Sequence, residues 1–419
     1  MQHLSAITLP AIFIGRWNML KGKNILLGVT GGIAAYKAAN LASLLVKQHA
    51  NITVIMTENA REFITPTTFD AITGNRTITD TFDRNHEFST EHISLSDSTD
   101  LVIIAPATAN VIAKLVHGIA DDMLTTTVLA CDCPKLIAPA MNTKMWNNPI
   151  TEDNIKKARE YGFEIIEPDS GRLACGTRGN GRLREPEEIL EAITAFISAP
   201  KDMCQLHVLV NAGPTREKID PVRFISNNST GKMGYAIASA AIARGAKVTL
   251  VSGPTELKPP MYAETINVTS AMEMFNEVTD RSDDADIIVL AAAVADFTPA
   301  TVSDQKIKKE NASGQILLER TPDILKTIGN AKTEKQVVCG FAMESEEVLP
   351  NARRKLSTKN LDLIVANCIS TPGAGFAHDT NQVTILTNYD EEALPLMSKI
   401  RCAHKILDKA LEIHNKKEQ

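Results

Sequence analysis

The stretch KNILLGVTGG at residues 23–32 is a run of mostly apolar residues that ends in a glycine-rich turn. A short apolar run bounded by a turn is typical of a buried β-strand. Residues 34–48 then carry apolar side chains at the spacing of an amphipathic helix, and residues 52–56 are apolar again. The stretch therefore predicts a strand, a helix and a second strand, which is the unit from which parallel sheets are built.

The same alternation recurs along the chain. Further strands are predicted at residues 101–105, 135–138, 206–212, 247–252, 287–293, 336–340 and 363–366, with helices from Thr108 onward and at residues 234–244. We therefore expect an α/β fold with two doubly wound, Rossmann-like modules and mostly parallel sheets. A polar break with a proline at residues 198–202 separates a first domain, residues 19–200, from a second, residues 201–419.

The first eighteen residues precede the first predicted strand and contain the apolar stretch AITLPAIFI. A secretory signal would need positive charge before such a stretch and a small-residue cleavage site after it. The chain has neither there, so we expect Met19 to be a functional start and residues 1–18 to be a poorly ordered extension.

The composition is that of a globular enzyme and excludes several classes of protein. Of the 419 residues, 44% are hydrophobic and 22% are charged, which excludes a disordered chain. The net charge of −6 argues against nucleic acid as a partner. The longest apolar run, residues 287–295, is too short to cross a membrane. Seven cysteines without a CxxC pair favour a reducing cytoplasm over a disulfide framework.

Small or polar residues follow several strands of the first half. The turn at residues 28–32 opens a helix and favours an anion such as phosphate, although a plain strand–helix turn fits the same residues. It is not the pattern GxGxxG, so a dinucleotide is not specifically indicated. Residues 105–110 and 138–142 form two further loops at strand ends, where open α/β sheets bind ligands.

Two side chains of the first half are candidates for proton transfer. One is His92, because a histidine side chain can move a proton at neutral pH, although a lone histidine is more often structural. His92 precedes a predicted strand or loop at residues 93–95. Cys175 lies in a polar, glycine-rich loop beside several arginines, which favour an anionic substrate. The pair Cys131 and Cys133 invites a metal interpretation, but no second Cys or His pair lies nearby.

Four motifs of the first half occur in the order found in one family: GVTGGIAAYK at residues 28–37, APATAN at 105–110, PAMN at 139–142 and ACG at 174–176. Together they resemble the flavin-dependent phosphopantothenoylcysteine decarboxylases. The resemblance implies a catalytic histidine at His92, a substrate-carboxylate amide at Asn142 and a proton donor at Cys175. It also implies that FMN is bound by Thr30, Gly31, Gly32, Ile33, Thr57, Ala105, Pro106, Thr108, Asn110 and Met141.

The second half has its own anion-binding pattern. Small and hydroxyl residues at 220–234 suit a polyphosphate just before a predicted helix. The stretch is not a Walker loop, because Lys232 is followed by Met233. A lysine cluster begins at Lys306; such a cluster is usually a solvated face, but its place after the strand-end carboxylate Asp296 favours phosphate neutralisation.

These segments resemble the phosphopantothenate–cysteine ligases over residues 206–400, in the same order. The resemblance implies that CTP activates 4′-phosphopantothenate as an acyl-cytidylate, with Mg²⁺ carried by the CTP phosphates, before L-cysteine displaces CMP. Lys306 matches the lysine of the first step, and Asn227 matches the asparagine that holds the acyl-cytidylate. The implied CTP contacts are Leu290, Ala291, Ala292, Asp296, Lys306, Pro322, Asp323, Ile324, Leu325, Phe341, Lys355 and Lys359.

The order of the two halves is that of bacterial bifunctional proteins of coenzyme A synthesis. The resemblance implies a cytoplasmic homo-oligomer, a dodecamer built from decarboxylase trimers and ligase dimers. One alternative is an active ligase fused to a flavin-binding regulatory or otherwise non-catalytic domain, and the presence of His92, Asn142 and Cys175 argues against it. A nicotinamide dehydrogenase is a poor alternative without GxGxxG.

Overall fold

The structure is a computed structural model that describes residues 20–81, 91–172, 176, 178–197, 199–308, 315–344, 347–368, 375 and 378–418. The chain divides into two compact units, unit 1 (residues 1–199) and unit 2 (residues 200–419). The expected extension, residues 1–18, and Cys175 lie outside the described residues. In the ranges given above, no helix has both the length and the apolar character needed to cross a membrane.

Unit 1 contains a five-stranded parallel sheet and a two-stranded antiparallel sheet. The strands are β1 (Asn24–Val29), β2 (Asn51–Met56), β3 (Leu101–Ala107), β4 (Lys135–Pro139), β5 (Phe163–Ile165), β6 (Asp169–Arg172) and β7 (Arg178–Arg182). The helices are α1 (Ala35–Lys47), α2 (Pro66–Thr73), α3 (Glu91–Ser98), α4 (Ala109–Val116), α5 (Met123–Ala130), α6 (Thr143–Trp146), α7 (Pro149–Glu160) and α8 (Pro186–Ile197), with a 3₁₀ turn at Glu58–Glu62.

The large sheet of unit 1 has the strand order β2-β1-β3-β4-β5. All seven residues of β3 are buried, because helices cover both faces of the sheet. The chain proceeds to one side of β1 through β2 and to the other side through β3, so the order reverses between β1 and β3. Loops that leave the carboxyl ends of two such strands diverge and open a crevice, which is where doubly wound sheets bind ligands.

Unit 2 contains an eight-stranded sheet and three small two-stranded sheets. The strands are β8 (His207–Ala212), β9 (Arg216–Lys218), β10 (Phe224–Ser226), β11 (Lys247–Ser252), β12 (Ala263–Asn267), β13 (Ile287–Leu290), β14 (Phe297–Pro299), β15 (Leu318–Arg320), β16 (Val337–Glu344), β17 (Leu363–Cys368), β18 (Thr380–Asn381), β19 (Thr384–Thr387), β20 (Glu391–Ala393) and β21 (Met397–Ser398). The helices are α9 (Lys232–Ala243), α10 (Ala271–Ser282), α11 (Ile324–Ala331), α12 (Val348–Thr358) and α13 (Lys399–Glu418).

The large sheet of unit 2 has the order β12-β11-β8-β13-β16-β17-β19-β20. Its first six strands are parallel, and β19 and β20 add an antiparallel edge. Alternate residues of β8 face opposite sides, so Val210 packs with α9 and α13 while Leu209 packs with α10 and α11. The strand order reverses between β8 and β13, which places a second crevice there.

The α/β class and the mostly parallel sheets predicted from the sequence are confirmed, with corrections to single elements. Residues 93–95, expected as a strand or loop, lie in α3, where Leu95 packs on the core and the Ser96 hydroxyl donates to the Ile93 carbonyl. The strand expected at 287–293 ends at Leu290, because the next residues leave the sheet for a loop. The polar loop expected at 169–176 includes β6, which pairs with β7.

Candidate functional site

One buried hydroxyl joins the two loops at the crevice of unit 1. Thr30 follows β1 and is fully buried. Its Oγ1 donates to the carbonyl oxygen of Pro106 at 2.7 Å and accepts from the backbone N–H of Thr108 at 3.0 Å. The β3–β4 register shifts between Ile104 and Ala107, which frees the Pro106 carbonyl region from a regular ladder. The structure therefore brings together Thr30, Ala105, Pro106 and Thr108, four of the residues expected to bind FMN.

The first turn of α1 follows the glycine loop at this crevice. The residue that precedes α1, Ala34, makes no side-chain cap hydrogen bond. A Cβ atom at Gly31 would lie 2.5 Å from Cβ of Asn59, so the close approach of this loop requires glycine. The nearest atom to a Cβ built at Gly32 is Thr108 Cγ2 at 4.0 Å, so the space above Gly32 is open. An uncapped helix start beside an open glycine loop suits a phosphate group.

The other predicted FMN residues differ in exposure. Thr57, at the end of β2, is buried, and its N–H donates to the Val29 carbonyl at 3.0 Å. In contrast, Ile33 is 61% exposed and Asn110, in the first turn of α4, is exposed. The Ile33 side chain, which follows the glycine turn, is therefore open to contact with a bound molecule.

The loop after β4 is held by the β6–β7 hairpin. The Met141 N–H donates to the Gly181 carbonyl at 2.9 Å, and the Thr143 hydroxyl donates to the Asn180 carbonyl at 2.7 Å. Asn142 Oδ1 accepts from the Lys144 N–H at 2.9 Å and so begins α6. The β6–β7 hairpin is therefore fixed to the loop that carries Asn142. The predicted proton donor Cys175 lies between these two strands in the sequence but outside the described residues.

His92 is the second residue of α3 and is half-buried. Within the ranges that the structure describes, its side chain is not part of the hydrogen-bonded set formed by Thr30, Pro106 and Thr108. The Thr30 hydroxyl thus joins two loops expected to bind FMN, and the hydrogen bonds described for this set do not include His92.

Unit 2 has a cavity of about 650 Å³ at the crevice between β8 and β13. Residues from the loops after β13, from the starts of α9 and α11 and from α12 line it. Eleven of the predicted CTP residues are among them: Leu290, Ala291, Ala292, Asp296, Pro322, Asp323, Ile324, Leu325, Phe341, Lys355 and Lys359. The structure thus gathers segments that are more than sixty residues apart into one concave site.

The loop at residues 291–296 forms one wall of this cavity, and side chains fix its backbone. Asn211 Oδ1 accepts from the Ala292 N–H at 2.8 Å, and Thr215 Oγ1 accepts from the Ala295 N–H at 3.0 Å. The Thr321 hydroxyl donates to the Ala295 carbonyl at 2.6 Å. Asn211 and Thr215 are buried, so these bonds are shielded from water and hold the loop in one conformation.

Asn227 contributes to the same wall. Its Nδ2 donates to the carbonyl oxygens of Ala293 at 3.0 Å and Val294 at 3.2 Å. Asn227 is not among the residues that line the cavity. Its amide nitrogen is therefore engaged with the loop backbone.

The far end of the cavity pairs two predicted CTP residues with each other. Asp323 Oδ1 accepts from the Lys326 N–H at 3.0 Å, so Asp323 begins α11. Its Oδ2 lies 3.0 Å from Nζ of Lys359, the residue that follows the last residue of α12. Lys355 lies one helical turn earlier, so both lysines border the same end of the cavity, as their spacing predicted.

Lys306 lies on an exposed segment and is not among the cavity-lining residues. Its neighbour Ile307 is fixed: the Ile307 N–H donates to Asp220 Oδ2 at 3.3 Å, and Arg223 Nη2 donates to the Ile307 carbonyl at 2.9 Å. The Arg223 guanidinium and nearby backbone N–H groups hold the pKa of the buried Asp220 carboxyl well below its usual range. A charged Asp220–Arg223 pair therefore positions the segment that carries Lys306.

Two cysteines form a second polar feature of unit 1. The neighbouring thiols of Cys131 and Cys133 interact, which lowers the pKa of Cys133, while the same interaction and burial raise the pKa of Cys131. In the portion of the chain described, no group of three or more His, Cys, Asp or Glu side chains is placed to hold a metal. The pair therefore gains no further ligand from those residues.

Sequence reasoning missed several residues of the unit 2 site. Asn211 and Thr215 were absent from the predicted set, although a polar residue within the apolar run VLVNAG is a detectable signal. Lys399, which lines the cavity, has no such signal because it lies 188 residues beyond Asn211 at the start of α13.

Each half of the chain matches a known protein family. Residues 203–413 match the family model described as the DNA/pantothenate metabolism flavoprotein C-terminal domain, and residues 16–198 match the model described as Flavoprotein. The Coenzyme A biosynthesis bifunctional protein CoaBC of Bacillus subtilis (strain 168) is 50% identical over 395 residues, which cover 93% of this chain and 97% of the relative. The chain belongs to the CoaBC family.

Other CoaBC relatives are similar over the same length. That of Escherichia coli (strain K12) is 41% identical over 401 residues, 95% of this chain and 99% of the relative. A crystal structure of a CoaBC C-terminal domain is 43% identical and covers 50% of this chain and 95% of that one, with a TM-score of 0.43. A PPC decarboxylase mutant complexed with pantothenoylaminoethenethiol is 31% identical and covers 41% and 97%, with a TM-score of 0.38.

Proposed function

We propose that the chain is a bifunctional enzyme of coenzyme A biosynthesis. Unit 2 ligates 4′-phosphopantothenate to L-cysteine with CTP, and unit 1 decarboxylates the 4′-phosphopantothenoylcysteine to 4′-phosphopantetheine with FMN. Membership of the CoaBC family supports both activities. The observation that carries the ligase assignment is the single cavity that gathers eleven residues of the expected nucleotide site.

The ligation proceeds in two displacements. The carboxylate of 4′-phosphopantothenate attacks the α-phosphate of CTP, which releases pyrophosphate and leaves an acyl-cytidylate. The amine of cysteine then attacks the acyl carbon, CMP leaves, and the amide forms. In the first step two anions must approach, so positive charge is needed. Lys306 supplies it from the segment held by Asp220 and Arg223, and Mg²⁺ is carried by the CTP phosphates.

The cavity separates the roles of its two ends. Lys355, Lys359 and Asp323 border the end that receives the cytosine, with Phe341 beside them. The fixed loop at residues 291–296 presents backbone groups and Asp296 toward the phosphates. Because the loop is held before any ligand binds, little reorganisation is needed when charge develops in the transition state. Asn227 holds this wall through its side-chain amide, and in this proposal it lies beside the acyl-cytidylate at the edge of the wall.

The residues of unit 1 suit FMN. The uncapped start of α1 and the Gly31–Gly32 turn hold the phosphate, and the loops that Thr30 joins form a flat backbone surface for the ring. When bound, FMN supplies a two-electron acceptor that can also return a hydride. Asn142 holds the substrate carboxylate, and His92 and Cys175 move protons.

The chain assembles as a cytoplasmic homo-oligomer, a dodecamer of decarboxylase trimers and ligase dimers. Support comes from large apolar side chains that unit 1 leaves open beside its crevice. Ile33 is 61% exposed and Tyr36 is 60% exposed. Burial of such a pair against a second copy would remove apolar area from water.

The proposal is tested first by an absorption spectrum of the purified full chain, before and after addition of FMN and desalting. We expect a retained flavin band. Incubation with 4′-phosphopantothenate, cysteine and CTP should then yield pyrophosphate and 4′-phosphopantetheine. Cys175→Ser should still release pyrophosphate but accumulate an oxidised decarboxylation intermediate. Failure to retain any flavin would favour a ligase with a non-catalytic first unit. Pyrophosphate release that is no faster with CTP than without it would refute the ligase activity.

A further inference from the structure

The unit 2 cavity contains a buried cation that the ligation described above does not use. Lys399, the first residue of α13, is 6% exposed and lines the cavity. Its Nζ donates to the carbonyl oxygens of Gly375 at 2.8 Å and His378 at 2.6 Å. A buried ammonium group needs such acceptors, because burial without them is costly. The lysine therefore fixes the backbone at Gly375 and His378, shortly before β18.

That segment is attached to Lys399 a second time. The Lys399 backbone N–H donates to the Asp379 carbonyl at 2.9 Å, next to the pairing of β18 with β21. Asp379 in turn accepts from Lys232: its Oδ1 lies 2.7 Å from the Lys232 Nζ. One chain of contacts thus leads from Lys399 through Asp379 to Lys232.

Lys232 lies where a phosphate would bind. It is the first residue of α9, lines the cavity and follows Gly231, which makes no side-chain cap at the start of that helix. Asp379, its partner, is 68% exposed at its side chain. An exposed carboxylate is a weak partner that an incoming polyanion can replace. Two ammonium groups, an uncapped twelve-residue helix and a cavity therefore converge at one end of the site.

We propose that Lys399 is a positioning residue for phosphate binding: through Asp379 it sets Lys232 at the amino end of α9, where Lys232 exchanges Asp379 for a substrate phosphate. The inference rests on the proposed ligase function, because only there is a phosphorylated substrate present. Both CTP and 4′-phosphopantothenate carry such a group, and the kinetic constants for the two separate these sources.

The test compares Lys399→Met with the full-length wild-type chain, by pyrophosphate release with cysteine and Mg²⁺. We expect the KM for one phosphorylated substrate to rise about 10-fold, the effect of a lost charge-assisted contact, while kcat changes less than about 3-fold. Lys399→Arg, which retains the charge, should recover most of the affinity. Lys409→Met is the matched control, because Lys409 lies on the same helix and pairs with Asp390 and Glu412.

The pH dependence of the KM distinguishes a positioning role of Lys399 from a purely structural one. Burial first, and the charge of Lys232 second, lower the pKa of Lys399 to about 8, opposed by Asp379 and Cys402. His378 faces the same amine through its carbonyl. Above that pH the amine loses its proton and holds the carbonyls less firmly, so the wild-type KM should rise. In Lys399→Arg the KM should stay flat, because a guanidinium remains charged.

Each outcome decides the inference. A raised KM for CTP assigns the nucleotide phosphates, and a raised KM for 4′-phosphopantothenate assigns the phosphate of that substrate. Unchanged KM values, or a loss in kcat alone, would overturn the positioning role.

If Lys399→Met does not fold, Lys232→Met should show the same KM defect. If the wild type releases no pyrophosphate with CTP, the proposed function fails, and calorimetry with inorganic pyrophosphate then compares wild type and Lys232→Met; equal binding overturns the inference.

Discussion

The two units place their candidate sites at the same point of a doubly wound sheet and complete them differently. In unit 1 the hydroxyl of Thr30 joins two loops, and Ile33 is 61% exposed beside them. In unit 2 several side chains fix one wall, and the residues enclose a cavity of about 650 Å³. Unit 2 therefore forms a pocket within its own fold, whereas unit 1 leaves apolar surface for a ligand or a second copy to cover.

The largest effect that separates the units is expected from Lys306→Gln. Loss of this charge should slow pyrophosphate release at least about 100-fold, because a preorganised group at the developing charge is removed. Flavin absorbance and decarboxylation of supplied 4′-phosphopantothenoylcysteine should be unchanged. Lys308→Gln, in the same exposed cluster, is the control. Equal losses of pyrophosphate release in the two variants would show that Lys306 acts only as part of a solvated charged face.

Thr30→Val is the corresponding test of unit 1. Without the hydroxyl, the Pro106 carbonyl and the Thr108 N–H lose a buried partner, so FMN affinity should fall about 10-fold. A flavin-fluorescence titration of the apoprotein measures it. Thr127→Val is a matched control, since that buried hydroxyl donates within α5 to the Met123 carbonyl. If FMN affinity survives in Thr30→Val, the loops are held by other contacts and the contrast between the units weakens.

Asp220→Asn should give a smaller effect on unit 2. The variant weakens the contact with Arg223 and the acceptor for the Ile307 N–H, so Lys306 is held less well. We expect ligation to slow about 5-fold with the KM for CTP unchanged, as for the loss of one hydrogen bond to a charged group. Asp304→Asn, in the same segment as Lys306, should behave as wild type. A KM effect without a rate effect would contradict the positioning of Lys306.

The smallest effect is expected in acid unfolding. The pKa of Asp220 is lowered in the folded protein from its usual 3.8, mainly by Arg223. A lowered folded-state pKa contributes stability above the unfolded value that is lost as the pH falls below it. The difference in Tm between wild type and Asp220→Asn should therefore narrow as the pH drops below about 3.8. Thermal unfolding of both proteins from pH 7 to pH 3 measures this difference. A Tm difference that stays constant over this range would contradict the lowered pKa of Asp220.

The strand ends were predictable, and the side-chain bonds between distant segments were not. The glycine turn after residue 28 and the apolar runs before each loop predicted where ligand loops begin, because buried strands have a clear local pattern. The bond from Asn227 to Ala293 spans 66 residues, and that from Ile307 to Asp220 spans 87. No periodicity records such contacts. The sequence therefore gives no sign that the Asn227 amide donates to the carbonyl oxygens of Ala293 and Val294.

The cavity of unit 2 takes Asn211 from its first strand and Lys399 from its last helix. A ribosome adds these residues nearly two hundred codons apart, so the nucleotide site is incomplete until the final helix has been made. A chain interrupted during synthesis would carry the flavin loops of unit 1 but not Lys399. Such a fragment would contain all of unit 1 but would lack a side chain that lines the unit 2 cavity.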